Sequence, residues 1–133
     1  MIKFYYKLKQ SFLLESKFTT AYLKEFRKEW YAYKLPDIWR TIKPFDWFWL
    51  NKHWVIFCEA KVIDSNIVKF NIFRDNQIAS LEKIYLLTEK YWLKWIHPLL
   101  QIYSIKHNDY KFIHIKDFLS EEGKWSTKII LDF

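Results

Sequence analysis

The chain has 133 residues, 51% of them hydrophobic and 22% aromatic, which excludes a disordered protein and points to one domain, residues 1–133, with a real core. Its net charge of +7 and pI near 9.4 favour a polyanionic partner, although a Lys-rich composition without functional meaning is the equal alternative on charge alone. A single glycine rules out a Gly-rich phosphate loop, and a lone cysteine, Cys58, rules out an intramolecular disulfide and points to a reducing, cytoplasmic setting.

Other chemistries are also poorly served. Four scattered histidines and one cysteine do not make a zinc site. There is no local signature of a Ser–His–Asp or Cys–His arrangement. No segment approaches the roughly 18 apolar residues of a membrane span. The first ten residues lack the apolar core of a signal peptide.

In chain order, residues 1–10 alternate loosely and read as a short strand or arm. From 11 to 33 the pattern turns helical, because Phe18, Tyr22, Phe26 and Trp30 recur every four residues and Tyr33 closes the stripe. Glu15 sits at the head of that stripe, where it either serves a site or simply favours the helix N-terminus. Pro36 ends the helix. Residues 38–44 lead to a hairpin at 46–61, and residues 62–71 read as a strand or extended segment. A helix is expected over about 73–88, with Ile78, Leu81 and Tyr85 on one face and Gln77 one turn ahead of Leu81. Two strands follow, within 92–105 and 110–119, around a turn at His107, Asn108 and Asp109. Residues 117–122 read as a helical turn and 126–133 as a last strand. The order predicts an α/β fold, a mixed sheet flanked by helices.

The hairpin carries the chemistry. Its halves, FDWFWL and WVIFCEAK, are aromatic and β-branched, as strands are. A two-residue loop at Lys52 and His53 pairs Asn51 with Trp54, and the same register sets Asp46 opposite Glu59. Lys61, two residues beyond Glu59, points to that face as well. Two carboxylates and an ammonium then converge at one end of an apolar hairpin. Adjacent carboxylates repel, and a divalent cation resolves the conflict, since hard cations take carboxylate oxygens.

These residues resemble a known pattern. Asp-x12-Glu-Ala-Lys on adjacent strands looks like the core of the PD-(D/E)xK, or restriction-endonuclease-like, nucleases. Within that superfamily the chain resembles the RecU-type Holliday-junction resolvases. The matching stretches are LLESKFTTAYLKEFRKEWYAYKLP, the Asp46 to Lys61 motif, and FNIFRDNQI around Gln77. RecU proteins insert a stalk of strands before the catalytic aspartate. Only residues 37–45 stand there in this chain, as in the compact archaeal and viral resolvases.

Read as chemistry, Asp46, Glu59 and the Ala60 carbonyl would hold one Mg²⁺, with Mn²⁺ as a substitute. The metal would polarise a phosphate and lower the pKa of a bound water. Lys61 would orient that water and offset charge on the phosphorane. Glu15 would complete a metal or water shell, and Gln77 would hold Lys61 or the phosphate; the resemblance supports both roles. It also implies hydrolysis of DNA phosphodiesters to 5′-phosphate ends, and a homodimer, because two strands are cut symmetrically. Lys17, Lys24, Arg27, Lys28 and Lys34 would line a phosphate track, with Arg40 and Lys43 nearer the site. Alternatively, the helix lysines pair with Glu25 and Glu29 on a solvated face. Three functions fit: a Mg²⁺-dependent junction resolvase, a nuclease of the same fold acting on duplex or flap DNA, or a basic DNA-binding domain whose acidic pair is structural.

Overall fold

The computed structural model describes residues 31–35, 45–123 and 127–133. Within them a five-stranded mixed sheet runs in the order β1 (Tyr31–Lys34), β2 (Trp47–Leu50), β3 (Val55–Ile63), β5 (Ile96–Ser104), β6 (Asp109–His114). β1, β2 and β3 are antiparallel neighbours, β3 and β5 are parallel, and β5 and β6 form an antiparallel hairpin. Parallel neighbours need a long crossover. Here it is β4 (Ile67–Lys69), a 3₁₀ turn at Phe70–Ile72, and α1 (Asp75–Tyr91). α2 (Ile115–Glu122) follows β6 directly, and β7 (Lys128–Ile130) pairs with β4 in a small second sheet. The mixed sheet flanked by helices is the expected fold class.

Period-two alternation along β3 sorts its side chains between two apolar layers. Ile56, Cys58 and Ala60 join Trp47, Trp49, Ala32 and Tyr103 on one face. Phe57 and Ile63 point to the other, toward Leu81 of α1 and Ile115 and Phe118 of α2. Glu59 and Lys61 share the parity of Phe57 and therefore face the helix side. Two long elements fall close to the expected bounds: the crossover helix starts two residues later than 73 and extends to Tyr91, and β5 and β6 flank the predicted turn. At that turn Asn108 takes the left-handed φ of 48° and its Oδ1 accepts a hydrogen bond from the Tyr103 hydroxyl at 2.8 Å. α2 begins at Ile115, earlier than expected, because His114 caps it: Nδ1 accepts from the Lys116 N–H at 3.1 Å.

One expectation is corrected. The helix predicted over 11–33 does not reach 33, because residues 31–33 lie in β1. Tyr31 and Tyr33 flank Phe48, with ring centroids 6.3 and 5.7 Å away, while Ala32 turns into the core. The YAYK alternation and pairing with β2 win over the four-residue stripe. The rest of that helix, with Glu15, Lys17, Lys24, Arg27 and Lys28, lies outside the described residues, as do Arg40 and Lys43.

The His114 cap has a pH consequence. Burial holds the pKa of His114 below its usual range, and burial then the neighbouring His114 does the same for His97. A folded pKa below the unfolded one means that the unfolded chain takes up protons first as pH falls. Stability is therefore full above about pH 6.5 and declines below it until the folded histidines titrate. Protonation also removes the Nδ1 acceptor. Thermal melts between pH 7.5 and 5 should show Tm falling, with a shallower fall in His114→Asn, which keeps a cap acceptor that does not titrate.

Candidate functional site

The site is built where β2 begins, against the middle of β3. Asn51 closes the hairpin: its N–H donates to the Trp54 carbonyl at 3.1 Å, and its Oδ1 accepts from the N–H groups of His53 and Trp54. The register continues through Trp47↔Cys58, as predicted. There it stops, one pair short of Asp46 and Glu59. Asp46 is a bend whose N–H donates to the Cys58 carbonyl at 3.0 Å. The bend carries Phe45 to the Phe57 side, where the rings lie 4.9 Å apart. On the other side the Asp46 carbonyl accepts from Leu35 N–H at 2.8 Å, so the backbone of this residue is held between β1 and β3.

From that bend the Asp46 carboxylate reaches β3 directly. Oδ2 accepts from the Ala60 N–H at 2.8 Å. Strand parity sends the N–H and carbonyl of Ala60 toward the β2 side, just past the last paired residue, Trp47. The side chain of Asp46 thus takes the ladder position that β2 vacates. Glu59 lies one residue before Ala60 and is 2% exposed; Asp46 is 8% exposed. Buried carboxylates require compensating donors or cations, and Gln77 supplies one. It is the third residue of α1: its Oε1 accepts from Arg74 N–H at 2.9 Å, and its Nε2 donates to Glu59 Oε1 at 2.6 Å. One amide therefore caps the helix and fixes the carboxylate.

The hydrogen bonds join Asp46, Ala60, Glu59 and Gln77 into one constellation, and alternation puts Lys61 on the Glu59 face. Gln77 was expected to hold Lys61 or a phosphate; in the structure its Nε2 donates to Glu59. Lys34 closes β1 opposite Trp47. Its side chain lies outside the described residues. Among the described residues no group of three or more His, Cys, Asp or Glu side chains is placed to hold a metal ion. The candidate metal donors are two carboxylates and one backbone carbonyl, all hard oxygens of the kind Mg²⁺ takes.

Cys58 sits behind this site, fully buried. Burial pushes its thiol pKa well up, and the negative charges of Asp46 and Glu59 add to the rise. The thiol stays protonated and packs as a small hydrophobe, as the sequence suggests. Its Sγ lies 3.7 Å from Gln101 Oε1, and Gln101 pairs with Ala60 across the parallel ladder. Gln101 is fully buried and was not singled out from the sequence. The signal was present: a lone amide inside the apolar run PLLQIYSI.

No family model and no curated protein matches the chain. Among solved structures, the chain is similar to Hjc of Archaeoglobus fulgidus, a Holliday junction resolvase from an archaeal hyperthermophile. The TM-score is 0.59 at 13% identity, over 86% of this chain and 87% of that one. The architecture is therefore that of the Hjc nuclease fold. No helix among the described residues is long and apolar enough to cross a membrane.

Proposed function

We propose that the protein is a Mg²⁺-dependent DNA endonuclease that resolves four-way junctions, acting as a homodimer in the cytoplasm through one nuclease domain per chain. The observation that carries the reading is the clamped pair of buried carboxylates on the Hjc-like fold, with Asp46 bonded to Ala60 N–H and Glu59 bonded to Gln77. An acidic pair held this firmly beside a backbone carbonyl is a ready oxygen site for a divalent cation.

Asp46, Glu59 and the Ala60 carbonyl would hold Mg²⁺, or Mn²⁺ in its place. The cation would supply Lewis acidity at the scissile phosphate and a bound water of lowered pKa. The chain's own residues do the rest. Asp46 is set by two backbone hydrogen bonds and by the Ala60 N–H donating to its Oδ2, so its carboxylate needs little reorganisation. Gln77 fixes the rotamer of Glu59. The Lys61 ammonium offsets the two carboxylates and faces the side on which the phosphate would lie. Glu15 would complete the shell, and Lys17, Lys24, Arg27, Lys28, Lys34, Arg40 and Lys43 would contact phosphates.

End-labelled four-way junction, plain duplex, flap and single-stranded DNA, incubated with Mg²⁺, test this reading. Paired symmetric nicks on the junction, leaving 5′-phosphates, are expected. Cutting of duplex or flap at the same rate would keep the nuclease and reject junction selectivity. Absence of cutting on every substrate would leave a DNA-binding domain.

A further inference from the structure

At the Val55 end of β3, a cleft of about 380 Å³ opens between the C-terminal turns of α1, the start of β5 and the β6–α2 junction. Val55 pairs with Ile96 there, four residues and roughly 13 Å along the strand from Glu59. The cleft is therefore separate from the catalytic constellation. Its volume lies in the range of small-molecule sites, wide enough for one nucleotide and far too small for a duplex.

A continuous row of four rings runs from the hairpin turn into this cleft, with His97, His114 and Tyr85 in its lining. Trp54 lies 4.7 Å from His97, His97 6.4 Å from His114, and His114 5.8 Å from Tyr85. Burial keeps both imidazoles neutral at pH 7. The His114 Nδ1 accepts from Lys116 N–H, so its proton sits on Nε2 as a donor. The His97 Nε2 is buried out of reach of the cleft, with no hydrogen-bond partner, so the imidazole donor left for a ligand is His114 Nε2.

Trp92 stands at the mouth, 76% exposed, with the Lys94 ammonium 6.0 Å from its ring. It ends α1 in the left-handed conformation, φ 58°, a position where glycine is usual. A large apolar ring is held out into solvent from a strained backbone, which packing alone does not explain. Lys94 and Lys116 line the cleft together with Glu89 and Asp117, so its charges balance. A phosphate would not choose the interior. A flat, uncharged group with donors and acceptors along its edge would.

We infer that this cleft takes up one unpaired nucleobase of a DNA strand, with Trp92 stacking on it, the His114 Nε2–H meeting its polar edge, and Lys94 and Lys116 meeting the flanking phosphates. The identity of the polymer rests on the nuclease reading. The preference for an unpaired base rests on the cleft.

The test is fluorescence anisotropy in EDTA with a labelled single strand of about a dozen nucleotides, the corresponding duplex, and unlabelled dTMP as competitor. Wild type should prefer the single strand. Trp92→Gly removes the ring at a backbone position glycine favours, so it should keep or raise Tm. It should weaken single-strand binding by roughly tenfold or more and leave duplex binding unchanged. Unchanged single-strand binding in Trp92→Gly, or an equal loss on duplex, would overturn the proposal. Displacement by dTMP at the oligonucleotide's own concentration would make this a free-nucleotide site instead. A failure of nuclease activity with these binding results intact would reject the catalytic reading alone.

Discussion

Glu59→Gln should lower the Mg²⁺-supported cleavage rate by roughly a thousandfold, with little change in Tm. The two effects separate because of what Glu59 does in the fold. Its Oε1 accepts the Gln77 Nε2 hydrogen bond at 2.6 Å, and a glutamine oxygen can accept the same bond. The tie between β3 and the first turn of α1 therefore survives. What is lost is the negative charge, half of the anionic donor set at the proposed cation site. A cation's electrostatic contribution is worth several kcal/mol of barrier, and about 4 kcal/mol corresponds to the thousandfold loss. Single-turnover rates on a cleavable substrate, set beside a thermal melt of each protein, measure both quantities. A variant that cuts at the wild-type rate would remove Glu59 from the reaction.

Phe118→Ala should destabilise the fold by about 3–5 kcal/mol, which for a chain of this size lowers Tm by roughly 10–20 °C. Phe118 is fully buried in α2, and its ring meets Phe70 and Phe73 edge-on at 5.2 and 5.3 Å. Phe70 opens, and Phe73 follows, the 3₁₀ turn that delivers the chain to α1. Truncation would leave a cavity against Leu81, Leu100 and Ile115, with little room for collapse between sheet and helices. The predicted side effect is a looser α1 N-terminus and a weaker hold on Glu59 through Gln77. Chemical denaturation with two spectroscopic probes measures the loss; a change below 1 kcal/mol would mean that this layer does not support the fold.

The hairpin was legible because two local signals agree. Asn51, with Lys52 and His53, makes a tight turn, and the alternating aromatics on either side permit one register. That register carries Trp47 to Cys58. The bend at Asp46 was not legible, since it depends on backbone bonds to two strands at once, to Cys58 and from Leu35. Its effect is to bring the carboxylate to Ala60 N–H rather than squarely opposite Glu59.

The same distinction explains β1 and Gln77. Tyr33 satisfies both a four-residue stripe and a two-residue alternation, so the sequence extends the helix where pairing with β2 makes a strand. Gln77 was picked out by its place at the helix start, but its partner depends on where β3 lies against α1. The row of rings from Trp54 to Tyr85 draws on the hairpin turn, β5, β6 and α1. Nothing local announces an assembly of four separate elements.

In the proposed function Asp46, Glu59 and the Ala60 carbonyl bind a divalent cation. Titration of Mn²⁺, followed by its electron paramagnetic resonance signal, tests it on wild type, Asp46→Asn and Glu59→Gln without any need for the correct DNA. One bound Mn²⁺ per wild-type chain, competed by Mg²⁺ and lost in both variants, is the expected result. Equal Mn²⁺ binding by all three proteins, or none by wild type alone and with junction DNA present, would rule out a cation site at these residues.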